Sequence, residues 1–158
     1  MSVTGLGIVG LGGLGEALIK DLSKFSTDLE LIAVQDVRPG VASAMARTYG
    51  ARWAGERFED LLAIEGVDAV VICTPNALHA PQAQAALHLH KHVLVQKPLA
   101  VSCMDAQATI DTAAEHQRLL IVDYSYRFLE TIAVLRSTLG QCGPVRRARG
   151  TFHNIYGP

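Results

Sequence analysis

The chain has 158 residues, of which 14 are basic and 15 acidic, and its formal net charge is −1. This balance leaves no excess of positive charge for a nucleic-acid backbone or an anionic membrane surface, so we expect neither partner. No apolar run approaches the roughly 20 residues that span a bilayer, and "MSVTGLGIVG" lacks the regions of a signal peptide. Three cysteines without metal-ligand spacing are typical of a reducing compartment, so we expect a cytoplasmic protein.

Short apolar runs alternate with amphipathic segments along most of the chain. The apolar runs predict strands at Leu6–Gly10, Leu29–Asp36, Arg52–Ala54, Val67–Thr74, His92–Gln96 and Leu119–Tyr124. The amphipathic segments predict helices at Gly13–Phe25, Pro39–Tyr49, Glu59–Ala63, Leu78–His88, Met104–Gln117 and Phe128–Leu139. Continuous apolar strands separated by helices are typical of a parallel sheet covered on both faces. We therefore predict an α/β fold over residues 1–142, with a doubly wound, mainly parallel sheet of the Rossmann type.

Residues 143–158, "GPVRRARGTFHNIYGP", follow a different pattern. They begin with a Gly-Pro turn and continue with the alternation that is typical of an antiparallel strand. A single strand cannot satisfy the hydrogen bonds of its own edges. The segment must therefore pair within the domain, pair with another chain or start a second, antiparallel-sheet domain whose remainder is absent from the chain, and we predict the last of these.

The segment after the first predicted strand carries Gly10, Gly12 and Gly15 in the spacing Gly-x-Gly-x-x-Gly. Between a strand and a helix, this spacing is typical of dinucleotide binding: the first glycine permits a tight turn, the second lets a pyrophosphate approach, and the third lets the helix pack closely. The N–H groups of Gly12, Gly13 and Leu14 would face the phosphates at the positive end of the helix. A glycine-rich turn with a purely structural role is the alternative.

Asp36 ends the second predicted strand, about 20 residues after the glycines, where a carboxylate binds the adenosine ribose hydroxyls. A carboxylate there repels the 2′-phosphate of NADP, so the sequence favours NAD as the cofactor. Arg38 lies two residues further on and could pair with that phosphate. A solvated arginine at the entry to a helix is the alternative, and NADP stays open.

The stretch "VVICTPNALHAPQAQAALHLHKHVLVQKPLA" (Val70–Ala100), with "GIVGLGGLG", "YRF" and "GPVRRARGTF", resembles the glucose-fructose oxidoreductase/inositol dehydrogenase family, also called Gfo/Idh/MocA. The resemblance implies a Rossmann domain followed by an α/β domain with an open, mainly antiparallel sheet. It implies hydride transfer between NAD(P) and a sugar, a cyclitol or a related alcohol or carbonyl compound. The family motif Glu-Lys-Pro reads Gln96-Lys97-Pro98 here. Gln96 can still bond a ribose hydroxyl, but it brings no negative charge beside Lys97.

The resemblance makes Lys97 the one catalytic candidate in the chain. Oxidation of an alcohol leaves a proton on its oxygen, and a lysine near the nicotinamide can polarise that oxygen or relay the proton. Burial or a nearby cation would favour this role, because both lower the pKa of a lysine. Members of the family tend to hold the Lys-Pro bond in the cis form. A surface lysine that follows an edge strand is the alternative.

Other candidates for cofactor contact follow from the same expected rim of the sheet. Thr74-Pro75-Asn76 ends the fourth predicted strand, at the edge where ligands bind in such folds. His79 is a weaker candidate, with a solvent-facing histidine as the alternative. The resemblance implies that Tyr126 and Arg127 line the nicotinamide end, although packing at a helix entry would explain them equally well.

The sequence also contains three alternating histidines and a cysteine, residue types that can bind a metal or act as a nucleophile, but their context does not support these roles. His88, His90 and His92 alternate, but they span a helix end and a strand start without an acidic partner at ligand spacing, so we predict a loop and no metal site. Cys73 lies within an apolar strand, and we predict a buried small residue rather than a nucleophile.

The resemblance also implies an Asp and a His four residues apart on a helix of the second domain. The chain has no such pair; the nearest, Asp111 and His116, has the wrong spacing. We therefore expect a truncated oxidoreductase domain that binds a dinucleotide and is inactive alone. A non-catalytic sensor or interaction module and a half-enzyme completed by another polypeptide are the alternatives. An exposed face without its second domain would favour homo-oligomers.

Overall fold

The computed structural model describes residues 3–25, 28–141, 143–147, 149 and 151. The chain divides into two compact units, Met1–Asp123 and Tyr124–Pro158. The strands of the first unit are β1 (Thr4–Val9), β2 (Leu29–Gln35), β3 (Trp53–Gly55), β4 (Ala69–Ile72), β5 (His92–Gln96) and β6 (Leu120–Asp123). Its helices are α1 (Gly13–Phe25), α2 (Val41–Tyr49), α3 (Phe58–Leu62), α4 (Asn76–His88) and α5 (Cys103–Glu115).

The strands form one 6-stranded sheet in the order β3-β2-β1-β4-β5-β6. Every neighbouring pair is parallel. The strand order reverses between β1 and β4, so the chain leaves these two strands in opposite directions and opens a crevice at their carboxyl ends. The predicted doubly wound Rossmann fold is confirmed.

The central strands of the sheet are buried on both faces, which explains their continuous apolar sequences, whereas Ile121 of the edge strand β6 is exposed. Val70 and Val71 are consecutive in β4, and both are buried. Val70 lies in a cluster with Leu87 of α4, whereas Val71 lies in a second cluster with Ile19 of α1. Successive side chains of a strand point to opposite faces, so a strand covered by helices on both sides must be apolar at every position.

Element boundaries differ from the prediction where the local backbone decides them. Helix α2 begins at Val41 rather than at Pro39, because Gly40 adopts a left-handed conformation with φ 76° just before it. Helix α4 begins at Asn76, two positions before the predicted start, and Pro75 precedes it in an extended conformation. A proline is readily accepted at such a position because it lacks the N–H that would go unbonded at a helix start.

The second unit contains a 3-10 helix (Ser125–Phe128) and helix α6 (Glu130–Leu139). The predicted helix Phe128–Leu139 thus begins two residues later, at Glu130, because Leu129 is extended at φ −66° and ψ 137°. Residues 143–147, 149 and 151 form no strand, and the rest of the predicted strand in 143–158 lies outside the described residues. The boundary at 142 stays a prediction. Every helix among the described residues is too short or too polar to cross a bilayer.

Candidate functional site

The glycine loop joins β1 to α1 and requires glycine at two positions. Gly10 has φ +84°, and a Cβ there would lie 2.8 Å from backbone atoms of Cys73. A Cβ on Gly15 would lie 2.1 Å from the carbonyl oxygen of Gly10. No side chain fits at such distances, so these glycines allow β1, the loop and α1 to lie close together.

Gly12, Gly13 and Leu14 occupy the open side of the same turn. A Cβ on Gly12 or on Gly13 would meet no atom within 4 Å, and Leu14 is exposed. The first N–H groups of a helix have no acceptor within the helix, and they carry the positive end of its dipole. The structure thus leaves space and hydrogen-bond donors where the sequence predicts a pyrophosphate, and direct contact by these residues stays a prediction.

Asp36 follows β2 and ties this loop to the next one. Its Oδ2 accepts a hydrogen bond of 2.8 Å from the N–H of Leu11 and one of 2.9 Å from Nη2 of Arg38. Its Oδ1 accepts bonds from the backbone N–H and from Nε of Arg38, at 2.9 Å and 2.8 Å. Arg38 Nη2 also donates to the carbonyl oxygen of Leu11 at 3.1 Å. The carboxylate therefore stabilises the glycine loop directly and through Arg38.

These bonds set the charge of the group. The hydrogen bonds from the Arg38 side chain lower the pKa of Asp36 to about 2, assisted by the backbone N–H groups of Arg38 and Leu11 and opposed by burial. The same contact raises the pKa of Arg38. Asp36 is accordingly ionised at neutral pH, as a carboxylate that accepts hydrogen bonds from a ribose must be.

A cavity of about 420 Å³ lies at the carboxyl ends of β1, β2 and β4. It brings together six of the predicted cofactor residues: Gly10, Gly12, Asp36, Arg38, Thr74 and Pro75. The other predicted residues of the first unit do not line it: Gly13, Leu14, Gly15, Asn76, His79, Gln96 and Lys97. Arg127 lies in the 3-10 helix of the second unit, where it is exposed.

Several lining residues were missed by the sequence prediction: Gln35, Val37, Cys73, Leu78 and Gln82. The hydroxyl of Thr74 donates to Oε1 of Gln82 at 2.6 Å. Leu78 and Gln82 are four residues apart on α4, so they share one face of the helix. That spacing was the signal in the sequence, but only the position of α4 shows which face borders the cavity.

His79 is buried, at 1% exposure, and does not face solvent. Its Nδ1 lies 2.7 Å from the carbonyl oxygen of Pro98, and its Nε2 lies 2.7 Å from that of Thr74. Because carbonyl oxygens only accept, a doubly protonated ring would donate to both and a neutral ring to one. Both ring nitrogens are engaged with the backbone here, so His79 links the segments that follow β4 and β5. Its direct contact with a cofactor stays a prediction that this geometry does not favour.

The end of β5 carries the lysine motif. Gln96 is buried, and its Nε2 donates to Oδ2 of Asp123, the last residue of β6. The Lys97-Pro98 peptide bond is cis, as the family resemblance implied. Lys97 itself is exposed, so the described residues do not bury its ammonium group. Its catalytic role stays a prediction.

The surroundings of Cys73 do not favour a nucleophile, and the rings of His88 and His90 pack against another histidine. Burial, together with the charge of Asp123, raises the pKa of the Cys73 thiol to about 11, so the thiol is protonated at neutral pH and a poor nucleophile. The ring of His116 lies 5.0 Å from that of His88 and 5.1 Å from that of His90, centroid to centroid. Among the described residues, no group of three or more His, Cys, Asp or Glu side chains has the geometry to hold a metal ion.

Comparison with known proteins places this site in a family context. The model of the Gfo/Idh/MocA family, described as "Oxidoreductase family, NAD-binding Rossmann fold", matches residues 4–124. A 4-carboxy-2-hydroxymuconate-6-semialdehyde dehydrogenase of Sphingobium sp. strain SYK-6 is 33% identical, over 78% of this chain and 39% of the relative. A glucose-6-phosphate 3-dehydrogenase of Bacillus subtilis is 32% identical, over 85% of this chain and 37% of the relative.

Solved structures agree with the sequence relatives. The crystal structure of scyllo-inositol dehydrogenase from Lactobacillus casei with bound NAD(H) and scyllo-inositol superposes with a TM-score of 0.82 at 26% identity. The match covers 89% of this chain and 42% of that protein. The chain therefore spans less than half the length of each of these relatives.

Proposed function

Because this chain belongs to the Gfo/Idh/MocA oxidoreductase family, we propose that it holds the dinucleotide of an enzyme that transfers hydride between NAD and a sugar, cyclitol or related alcohol or carbonyl compound. The resemblance seen in Val70–Ala100 is confirmed, and the chain is an NAD-binding domain related to sugar and cyclitol dehydrogenases. The observation that carries the proposal is the cavity in which the glycine loop, Asp36 and Thr74 meet. The semialdehyde dehydrogenase among the relatives keeps carbonyl substrates within the proposed class.

The proposal gives each part of the rim one role. A bound nicotinamide supplies the hydride acceptor or donor. The α1 N-terminus, directly after Gly12, holds the pyrophosphate, and Asp36 holds the adenosine ribose. Lys97, exposed at the end of β5, takes the hydroxyl proton of an alcohol as its carbon loses hydride, or returns a proton to the oxygen of a carbonyl compound in the reverse direction.

The bonds of Asp36 bear on the choice between NAD and NADP. A carboxylate has about four positions at which it accepts hydrogen bonds. Leu11 uses one of them, and Arg38 uses the others through its backbone N–H, Nε and Nη2. The two hydroxyls of a ribose can therefore bond Asp36 only if the Arg38 side chain moves away. That side chain is 57% exposed, so the movement would break its hydrogen bonds to Asp36 and to the Leu11 carbonyl oxygen without displacing a buried group.

We propose that NAD is preferred and that Arg38 competes with its ribose. With NADH, the ribose hydroxyls replace the two side-chain donors of Arg38, and Asp36 keeps its backbone bonds to Leu11 and to residue 38. With NADPH, the 2′-phosphate brings negative charge next to Asp36, and Arg38, the basic residue among those that line the cavity, can offset the repulsion. Removing the guanidinium should therefore favour NADH and disfavour NADPH.

A titration with both cofactors tests this proposal. Wild type should bind NADH more tightly than NADPH, measured by fluorescence and calorimetry. Arg38→Ala should tighten NADH binding by about threefold and weaken NADPH binding by about tenfold, which corresponds to about 1.4 kcal/mol. Arg52→Ala is the matched control, because Arg52 forms an exposed ion pair with Glu30 and does not line the cavity. Tighter NADPH than NADH binding by wild type contradicts the preference, and failure to bind either cofactor contradicts the proposed function.

The catalytic role of Lys97 needs a separate test, since a non-catalytic sensor would also bind the dinucleotide. In the enzyme that contains this chain, Lys97→Met should lower turnover by about 10²–10⁴-fold, the usual contribution of acid–base catalysis, while NADH affinity changes little. Lys20→Met is the control, because Lys20 pairs with Glu16 on the outer surface of α1. Unchanged turnover in Lys97→Met would favour the sensor or interaction module.

Two further expectations belong to the same proposal. Cys73 and Cys103 are free thiols, which supports a reducing compartment such as the cytoplasm. Exposed apolar side chains such as Leu119 and Ile121 support self-association into homo-oligomers. Light scattering of the purified chain tests the second expectation, and a monomer at all concentrations would contradict it.

A further inference from the structure

Gln96 and Asp123 form a side-chain pair at the carboxyl end of the sheet. They are the last residues of β5 and β6, and they are register partners in these parallel strands. Register partners point to the same face of a sheet, and the pair is joined by the bond from Nε2 of Gln96 to Oδ2 of Asp123. Gln96 is only 7% exposed, so its amide is held in a confined place directly before the exposed Lys97.

The charge of Asp123 fixes the orientation of the amide. A carboxylate only accepts hydrogen bonds, so it attracts the NH₂ end of Gln96 and repels its oxygen. Nε2 therefore faces Asp123, and Oε1 is the end directed away from it. An amide with a neutral partner can bond in either orientation, whereas the amide of Gln96 keeps its oxygen, Oε1, free to accept a hydrogen bond from another group. The hydroxyl of a ribose or of an alcohol substrate is the kind of donor that an amide oxygen binds.

The carboxylate also places a negative charge at this rim. Its influence extends across β5 to the end of β4, where it adds to the effect of burial on the pKa of Cys73. The motif of the family has a glutamate where this chain has Gln96. Here the acid lies one strand further along, at hydrogen-bond distance from the residue that replaced it.

We infer that Asp123 is a positioning residue of the dinucleotide site, which orients Gln96 so that Oε1 accepts a hydrogen bond from a hydroxyl of the nicotinamide nucleoside and which supplies the negative charge that position 96 lacks. This inference rests on the proposed function, because it requires that the nicotinamide half of the cofactor reach the end of β5. Asp123 acts through Gln96 and does not touch the reacting atoms.

Two single variants and one double variant at positions 96 and 123 test the inference. Asp123→Asn removes the charge that orients Gln96 and should weaken NADH binding by about tenfold. Gln96→Glu puts two carboxylates at hydrogen-bond distance and should weaken binding at least as much. The double variant Gln96→Glu/Asp123→Asn exchanges the carboxylate and the amide, restores one donor and one acceptor, and should bind NADH within about threefold of wild type.

The chain contains a chemically matched control pair. Nε2 of Gln107 donates to Oδ1 of Asp111 at 2.8 Å on the exposed side of α5. Gln107→Glu, Asp111→Asn and their double variant should leave NADH affinity unchanged. Urea midpoints for all variants separate stability from binding. Because the double variant retains a bonded pair, it reports on binding even if a single variant does not fold.

The outcomes distinguish this inference from the proposed function. If wild type binds NADH and Asp123→Asn binds it equally well, with or without a lower urea midpoint, the pair is only structural and the inference fails. A double variant that folds but binds no better than Gln96→Glu also overturns it. If wild type does not bind NADH, the proposed function fails and the inference fails with it. Weak binding in both single variants with recovery in the double variant supports it.

Discussion

The two ends of the sheet rim differ in how completely their side chains are engaged. At the ends of β1 and β2, Asp36 is buried and accepts four hydrogen bonds, and the glycine loop packs against its own backbone. At the end of β5, Lys97 is exposed, the Gln96 and Asp123 side chains before it are joined by a hydrogen bond, and the His79 ring contacts the Pro98 carbonyl oxygen after it. The first region is therefore organised by local contacts, whereas the catalytic role proposed for Lys97 in the second requires that other atoms enclose its side chain.

The strongest way to disrupt the first region is Gly15→Ala. The added Cβ would lie 2.1 Å from the Gly10 carbonyl oxygen, and both groups belong to the backbone, so no side chain can move aside. We expect a loss of about 4 kcal/mol in the free energy of unfolding, measured by urea denaturation, together with loss of NADH binding.

Gly140→Ala is the control for that substitution. Gly140 has φ −63°, and a Cβ there would meet no atom within 4 Å. It should change the free energy of unfolding by less than about 0.5 kcal/mol. A Gly15→Ala variant as stable as wild type would show that α1 can move away from β1.

His79→Leu tests the contact between the two regions, because His79 links the segments after β4 and β5. It would remove the ring nitrogens that face the carbonyl oxygens of Thr74 and Pro98, and with them the hydrogen bond that the ring donates there. We expect a loss of about 2–3 kcal/mol in the free energy of unfolding. Movement of Thr74 should also weaken NADH binding.

His88→Leu is the control on the same helix, since His88 is exposed, its Nδ1 contacts the Gln84 carbonyl oxygen of its own helix, and its ring contacts His116 and neither Thr74 nor Pro98. Calorimetric unfolding and an NADH titration of both variants provide the comparison. Equal effects of the two substitutions would mean that the link between the two segments contributes neither to stability nor to NADH binding.

The smallest expected effect is the pH dependence of Asp36. Its pKa is lowered from 3.8 to about 2, so the folded state binds its proton less readily than the unfolded state. The resulting stabilisation, about 2 kcal/mol, is fully present above the unfolded pKa near 4 and is lost as the pH falls through about 2. Between pH 5 and pH 2, the free energy of unfolding measured with urea should therefore fall less steeply with pH in Asp36→Asn than in wild type. If the free energies of unfolding of wild type and Asp36→Asn change equally with pH, carboxylates other than Asp36 cause the loss of stability in acid.

Much of the first region was predictable because its determinants are local in sequence. The spacing of Gly10, Gly12 and Gly15 specifies one turn between a strand and a helix, and Asp36 follows the next strand at a distance set by that helix. The alternation of apolar runs and helices was enough to predict a parallel sheet, and the order of its strands agrees with that fold. Helix starts were less accurate, because Gly40 and Pro75 decide them through single backbone conformations.

The sequence by itself determined the family, the fold and several of the residues at the strand ends, because periodicity and motif spacing act within one βαβ unit. Only the tertiary structure decided how these residues pair. Arg38 folds back onto Asp36, His79 is buried between two carbonyl oxygens, and Gln96 meets Asp123 from the neighbouring strand. Such partners are set by strand register and helix packing, which bring together residues that no local pattern connects.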